Sequence, residues 1–172
     1  TMAQGYWKAG LHEREAVFHL TFRRAPFGGT HAIAAGLAVA ADLIEGWEFS
    51  AEDAAYLGTL TGNDGEPLFE PAFLAWLAEL RFTGDGDARP EGTVAFGQEP
   101  LLRVRAPLVQ GQILETALLT IINFQTLIAT KSARICRAAA GDPVLEFGLR
   151  RAQGIDGGLS ASRAAYIGGC AA

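Results

Sequence analysis

The sequence predicts an α+β N-terminal domain, residues 1–107, followed by the first units of an incomplete α/β barrel, residues 108–172. Three observations carry this prediction. Ala16–Arg24 alternates, with Phe18, Leu20 and Phe22 on one face and Val17, His19, Thr21 and Arg23 on the other, the pattern of a half-buried strand. Short amphipathic helices and a hairpin pattern fill the rest of the chain up to Pro107. Beyond Pro107 the composition shifts to a long apolar helix, a short strand and another helix, the α-β-α order that opens a barrel or an open sheet.

The elements follow in order. Thr1–Gly10 reads as a helix stopped by Gly10, with no N-cap before it, and the closing turn Ile167–Ala172 leads onward, so a piece of a longer polypeptide is expected. Pro26-Phe27-Gly28-Gly29 ends the first strand in a turn, and His31–Gly46 starts extended and becomes helical over Ala38–Ile44. Ser50 before Ala51-Glu52-Asp53 is a good cap with an acidic first turn, so Ala51–Leu60 is predicted helical. Pro71–Leu80 is a further helix whose stripe is Phe73, Leu74, Trp76, Leu77 and Leu80. Thr83–Gly92 is a predicted loop, and Gly92–Arg105 a hairpin that pairs the Val94/Phe96 strand with the Leu102/Val104 strand. Leu108–Ala140 is a long helix with a break expected near Ala129, Pro143–Leu149 a strand, and Ser160–Ile167 a short helix.

Composition narrows the function classes. The chain is 49% hydrophobic and 19% charged, enough to build a core, and its net charge of −5 with no basic block argues against nucleic-acid binding. Local arginines can still hold an anionic small molecule. Cys136 and Cys170 belong to no CxxC pair, no His or Cys has zinc-ligand spacing, and reduced thiols in the cytoplasm are the simplest expectation. Thr1–Gly10 has no apolar core of a signal peptide. Ile113–Ala129 is interrupted by Glu115, Thr116, Thr120, Asn123, Gln125 and Thr126, so a buried helix is expected there and no membrane span.

The most informative stretch is Glu146–Gly158, which places Arg150 and Arg151 where a strand should stop, ahead of Gly154, Asp156, Gly157 and Gly158. Fixed positive charge beside a backbone open to close approach suits a phosphorylated ligand. Adjacent residues on a strand face opposite ways, so one of the two arginines is expected in such a site and the other outside it. Phe147 is either a stacking surface or an ordinary core side chain, and the glycines either approach a ligand or permit tight turns. Asp156 can orient Arg151 or a ribose hydroxyl, or serve as a turn residue. Arg23 and Arg24 close the first strand, where charge also protects an edge. Lys131 and Arg134 suit a helix C-terminus through the dipole alone.

Four blocks in order, TMAQGYWKAG from Thr1, FRRAPFGG from Phe22, LETALLTIINFQTLIATKSAR from Leu114 and EFGLRRAQGIDGGLSAS from Glu146, resemble the nicotinate phosphoribosyltransferases, type II phosphoribosyltransferases of NAD salvage. The resemblance implies an enzyme that joins nicotinate to phosphoribosyl diphosphate, giving nicotinate mononucleotide and pyrophosphate, with ATP as co-substrate hydrolysed in step and Mg2+ on the leaving pyrophosphate. It implies a homodimer with sites built between subunits, Arg150 facing the 5′-phosphate, Phe147 near the pyridine ring, and Arg23 reaching a neighbour's diphosphate site. The family's phosphorylated histidine has no counterpart here: His12, His19 and His31 sit in other contexts, and the 172 residues alone are expected to be inactive. A related nicotinamide or quinolinate phosphoribosyltransferase, or a non-catalytic α+β association module, remain as alternatives.

Overall fold

The computed structural model describes residues 1–171 of the chain. Two compact units share the sequence in an interleaved way: the first takes Thr1–Phe18, Asp42–Asp85 and Val104–Glu115, the second His19–Ala41, Gly86–Arg103 and the chain from Thr116 on. The elements are α1 (Met2–Lys8), β1 (Glu15–Thr21), β2 (His31–Ile33), α2 (Leu37–Glu45), α3 (Ala51–Gly58), α4 (Pro71–Ala78), β3 (Asp85–Ala88), β4 (Val94–Phe96), β5 (Pro100–Pro107), α5 (Leu108–Ala138) and α6 (Ile155–Ile167). They form a mixed α/β architecture with a three-stranded sheet ordered β1-β5-β3 and a separate antiparallel pair, β2-β4.

The first unit is organised by aromatic side chains. Phe73, Leu77, Leu80 and Val109 are buried, and Trp7, Trp47, Phe49, Phe69 and Trp76 pack against them. Phe73 takes the edge of Trp7 at 5.8 Å and stacks with Phe69 and Trp76 at 5.9 and 5.8 Å, arrangements that add to simple burial. Ser50 and Asp53 exchange side-chain and backbone bonds in a complete capping box, so α3 starts where the sequence places it. Gly10 lies at φ +68 and stops α1.

In the second unit, β2 and β4 pair in the register His31↔Phe96, Ala32↔Ala95 and Ile33↔Val94. Ala35, Ala129 and Ala164 form a small-residue core with Ile33, Ile128 and Ile167 packed around it. Small side chains bring α5 and α6 close, and the buried threonines of α5 then reach the backbone at the end of β2 and just after it. Thr130 Oγ1 accepts from the Ile33 amide at 2.9 Å, and Thr126 Oγ1 accepts from the Ala35 amide at 3.2 Å while donating to the Ala35 carbonyl at 3.1 Å. Helix α5 is long and apolar enough to cross a membrane by length and composition. Its buried Gln110, Gln125, Thr126, Thr130 and Ser132 mark it as a core helix.

Five local expectations change. The loop 83–92 contains strand β3, which carries no apolar side chain larger than alanine and so gave no strand pattern; Asp87 pairs with Arg103 across the ladder at 2.5 Å. The hairpin does not form: β4 pairs with β2, and β5 with β1 and β3. Gln98, at φ +70, turns the chain between β4 and β5, and its amide and side chain bond to the carbonyls of Phe22 and Arg23 at 2.8 and 3.0 Å. In β4 Ala95 is buried and Val94 and Phe96 are exposed. Helix α5 runs unbroken through Ala129, which is fully buried against Ala164. Pro143–Leu149 is not a strand: among the described residues it makes one parallel bridge, Leu145↔Ala171, and a strand needs a continuous partner. Finally, α6 begins at Ile155, five residues before the expected start, with Gly154 at φ +87 as its cap and Asp156 in its first turn. Two glycines in a first turn cost about 1 kcal/mol each, which tertiary packing overrides.

Candidate functional site

Within the second unit a cleft of about 580 Å³ opens between α5, α6 and the segment that joins them, a volume suited to a small organic ligand. Val39 of α2 and Ile121, Phe124 and Ile128 of α5 make one wall apolar. The other wall carries the charged and polar groups Glu146, Arg151, Gln153, Asp156 and Ser160, interspersed with Leu149, Ala152 and Ala161.

The polar wall is built on a single 3-10 turn, Leu149–Arg151, in which the Arg151 amide donates to the Gly148 carbonyl at 2.8 Å. Glu146 holds the approach to that turn. Its Oε1 accepts from the Gly148 amide at 2.5 Å, and its Oε2 accepts from Ser162 Oγ of α6 at 2.7 Å. The turn lies directly over the start of α6: a Cβ on Gly158 would collide with the end of the Leu149 side chain and lie 3.3 Å from Ala152 Cβ. Gly158 therefore serves close packing. Gly157, beside it, meets nothing within 4 Å and lines the cleft. Arg151 and the first turn of α6 thus border one space, together with the carboxylates of Glu146 and Asp156; the helix dipole there favours negative charge and the two carboxylates oppose it.

The sequence-predicted residues fall into three groups. Arg151, Gly157 and Gly158 border the cleft; Gly154 caps α6 at its mouth. Arg150 is not among the lining residues; its guanidinium lies 5.9 Å from the centre of the Phe147 ring. Phe147 is 80% exposed among the described residues. The strand premise for choosing between the arginines goes with the strand: on a tight turn, position in the turn decides, and Arg151 is the one that borders the cleft. Arg23 lies elsewhere, lining a second recess of about 430 Å³ with Arg24, Leu119 and Asn123. Lys131 and Arg134 converge on Phe27, and Arg134 donates to the Phe27 carbonyl at 2.9 Å.

Sequence reasoning missed the support behind the cleft. Arg163 of α6 donates to Glu91 through Nη1 at 2.8 Å and Nη2 at 2.6 Å, and Nη1 also reaches Gln125 Oε1 at 3.0 Å. Glu91 Oε1 accepts in addition from the Gly36 amide, just before α2, at 2.6 Å. The Arg163 guanidinium, more than the Gly36 amide, holds the Glu91 carboxyl below the usual glutamate range. One carboxylate so ties together the three helices that border the cleft. A 72-residue separation leaves no local pattern from which the pair could be read.

Comparison with known proteins gives these features a family. The model of the nicotinate phosphoribosyltransferase (NAPRTase) N-terminal domain matches residues 1–123. A nicotinate phosphoribosyltransferase of Bacillus subtilis is 44% identical over 171 residues, 99% of this chain and 34% of the relative. One from Mycobacterium tuberculosis is 43% identical over 99% of this chain and 35% of its own length. The crystal structure of the human nicotinic acid phosphoribosyltransferase superposes with a TM-score of 0.88 at 42% identity, over 98% of this chain and 33% of that one. The chain spans about a third of the length of the curated relatives it matches. With well over half of its residues covered by the family model, the chain belongs to the nicotinate phosphoribosyltransferase N-terminal domain family.

Proposed function

We propose that this chain provides the N-terminal domain and the opening barrel units, residues 108–172, of an enzyme that transfers a phosphoribosyl group to nicotinate, releasing pyrophosphate, with ATP hydrolysis coupled to the transfer. Membership of the family supports the reaction. The single observation that supports a role for this chain in it is the cleft, where Arg151 and the first turn of α6 border the same space as the apolar wall.

In this reading Arg151 and the amides near Gly157 hold a phosphate of phosphoribosyl diphosphate, an attraction between charged groups worth roughly 1.5–3 kcal/mol per hydrogen bond. The apolar wall of Ile121, Phe124 and Ile128 offers a face to the pyridine ring. Arg150 with Phe147, and Arg23 at the second recess, are assigned to the rims, Arg23 toward a partner subunit in a cytoplasmic homodimer.

Magnesium, when bound, would neutralise charge on the departing pyrophosphate. Among the described residues no cluster of three or more His, Cys, Asp or Glu side chains can hold a metal ion. Glu146 already accepts two hydrogen bonds, from the Gly148 amide and from Ser162 Oγ. Mg2+ is commonly held by one or two carboxylates together with substrate phosphates and water, and Glu146 and Asp156 are the carboxylates that border the cleft.

A chimera tests the proposal. Residues 1–171 replace the matching third of the Bacillus subtilis relative, and the product is assayed with nicotinate, phosphoribosyl diphosphate, Mg2+ and ATP. Formation of nicotinate mononucleotide is expected. A chimera that folds with native-like circular dichroism but forms none would overturn the reading.

A further inference from the structure

Cys136, near the end of α5, and Cys170, just after α6, are both free thiols, and their sulfurs lie 3.8 Å apart. Neither belongs to the cleft. Cys136 is partly exposed and Cys170 is 7% exposed. Cys170 is fixed by two backbone bonds beside it: its own amide donates to the Ala165 carbonyl at 3.0 Å, and the Ala171 amide donates to the Val144 carbonyl at 2.8 Å. The two sulfurs are in contact on two anchored elements, and a disulfide would bring them from 3.8 Å to a bonding separation of about 2.05 Å.

We propose that Cys136 and Cys170 form a modification site, a dithiol that a hydroperoxide closes to an intramolecular disulfide. The accessible Cys136 attacks first: its sulfur takes one oxygen from the peroxide to become a sulfenic acid, and water leaves when hydrogen peroxide is the oxidant. Cys170 sulfur then displaces the sulfenic hydroxyl, the S–S bond forms, and the thiol proton leaves with that hydroxyl as a second water. Burial first, and then the Cys136 sulfur beside it, push the Cys170 thiol above the usual cysteine range, which leaves the attack on peroxide to its partner.

The closed loop would contain the whole segment from Arg137 to Gly169, including the Leu149–Arg151 turn and the polar wall of the cleft. The bridge thus ties together the two ends of the segment that carries this wall of the cleft while touching none of its lining residues.

The test uses the purified, reduced chain, hydrogen peroxide, intact mass and peptide mapping. The expected product has lost two hydrogens, carries a linked Cys136–Cys170 peptide, reverts with dithiothreitol and melts at a higher temperature than the reduced chain. In Cys170→Ser the reaction should stop at a sulfenic acid on Cys136, trapped by dimedone. Oxygen additions to single cysteines without a linked peptide, or linkage only between separate chains, would overturn the proposal. So would a linked peptide that forms as readily in urea, because the folded contact would then have no part in it.

Discussion

Glu91 and Arg163 meet as a two-pronged pair, with Nη1 on Oε1 at 2.8 Å and Nη2 on Oε2 at 2.6 Å. Both are substantially shielded, Glu91 with 20% of its side chain exposed. Glu91→Gln keeps an oxygen for the Gly36 amide and removes the charge. The expected cost is roughly 1–3 kcal/mol of unfolding free energy at neutral pH. Because the folded carboxyl titrates below the ordinary glutamate range, its contribution is complete above that range and is lost as the pH falls through the folded value. Urea unfolding of parent and variant between pH 7 and pH 3 should show the two curves converging in acid; a gap that stays constant would assign the loss to packing.

Arg151 and Arg150 separate the cleft from its rim. In the chimeric enzyme, Arg151→Ala should weaken phosphoribosyl diphosphate binding by roughly 10- to 100-fold, the loss of a charged hydrogen bond. Arg150→Ala should have a smaller effect. Titration calorimetry with phosphoribosyl diphosphate measures both. The reverse order would move the phosphate seat to the Phe147 side of the turn.

Gly157 and Gly168 predict opposite responses to alanine. At Gly168 an added Cβ would collide with the Ala129 carbonyl and lie 2.7 Å from Ser132 Cβ and 3.1 Å from the Ala133 amide nitrogen, mostly backbone that cannot give way. Gly168→Ala should cost about 1–3 kcal/mol. At Gly157 a Cβ meets open space, so Gly157→Ala should stabilise α6 by up to about 1 kcal/mol. If the cleft holds phosphate there, the same variant binds phosphoribosyl diphosphate less well. Thermal melts read the first effect and calorimetry the second.

Thr126→Val removes a fully buried hydroxyl and strands both polar groups of Ala35. Each unsatisfied group costs about 1–3 kcal/mol, so a loss near the sum of two is expected. Thr126→Ser restores the bonds and should recover most of it. Equal losses in both variants would show that packing around the side chain, and not its two hydrogen bonds to Ala35, sets the cost.

Legibility in the sequence followed locality. The capping box of Ser50 and Asp53, the aromatic stripe around Phe73 and the stop at Gly10 each rest on neighbours within a turn or two, and each formed where the pattern placed it. Strand pairing rests on distant partners. Nothing near Val94 announces that its strand joins His31–Ile33. Asp85–Ala88 carried no hydrophobic signal at all. At the candidate site, the glycine-rich stretch was legible as a place of close approach. Its conformation was not, because a Gly-Gly pair reads as a turn until packing against Leu149 selects a helix. The pair behind the cleft, Glu91 with Arg163, had no local trace of any kind.

The threonine bonds also set an order of events on the ribosome. Ala35 emerges 91 residues before Thr126, and Ile33 emerges 97 before Thr130. Through that interval, the amides that later bond to hydroxyls can only be hydrated, and β2 has no finished surface to rest on. Closing such long loops is slow compared with forming α5 itself. The second unit therefore cannot mature until synthesis has passed Thr130, and a nascent chain arrested before that residue should leave Ile33–Ala35 open to proteases that spare the same stretch in the finished protein.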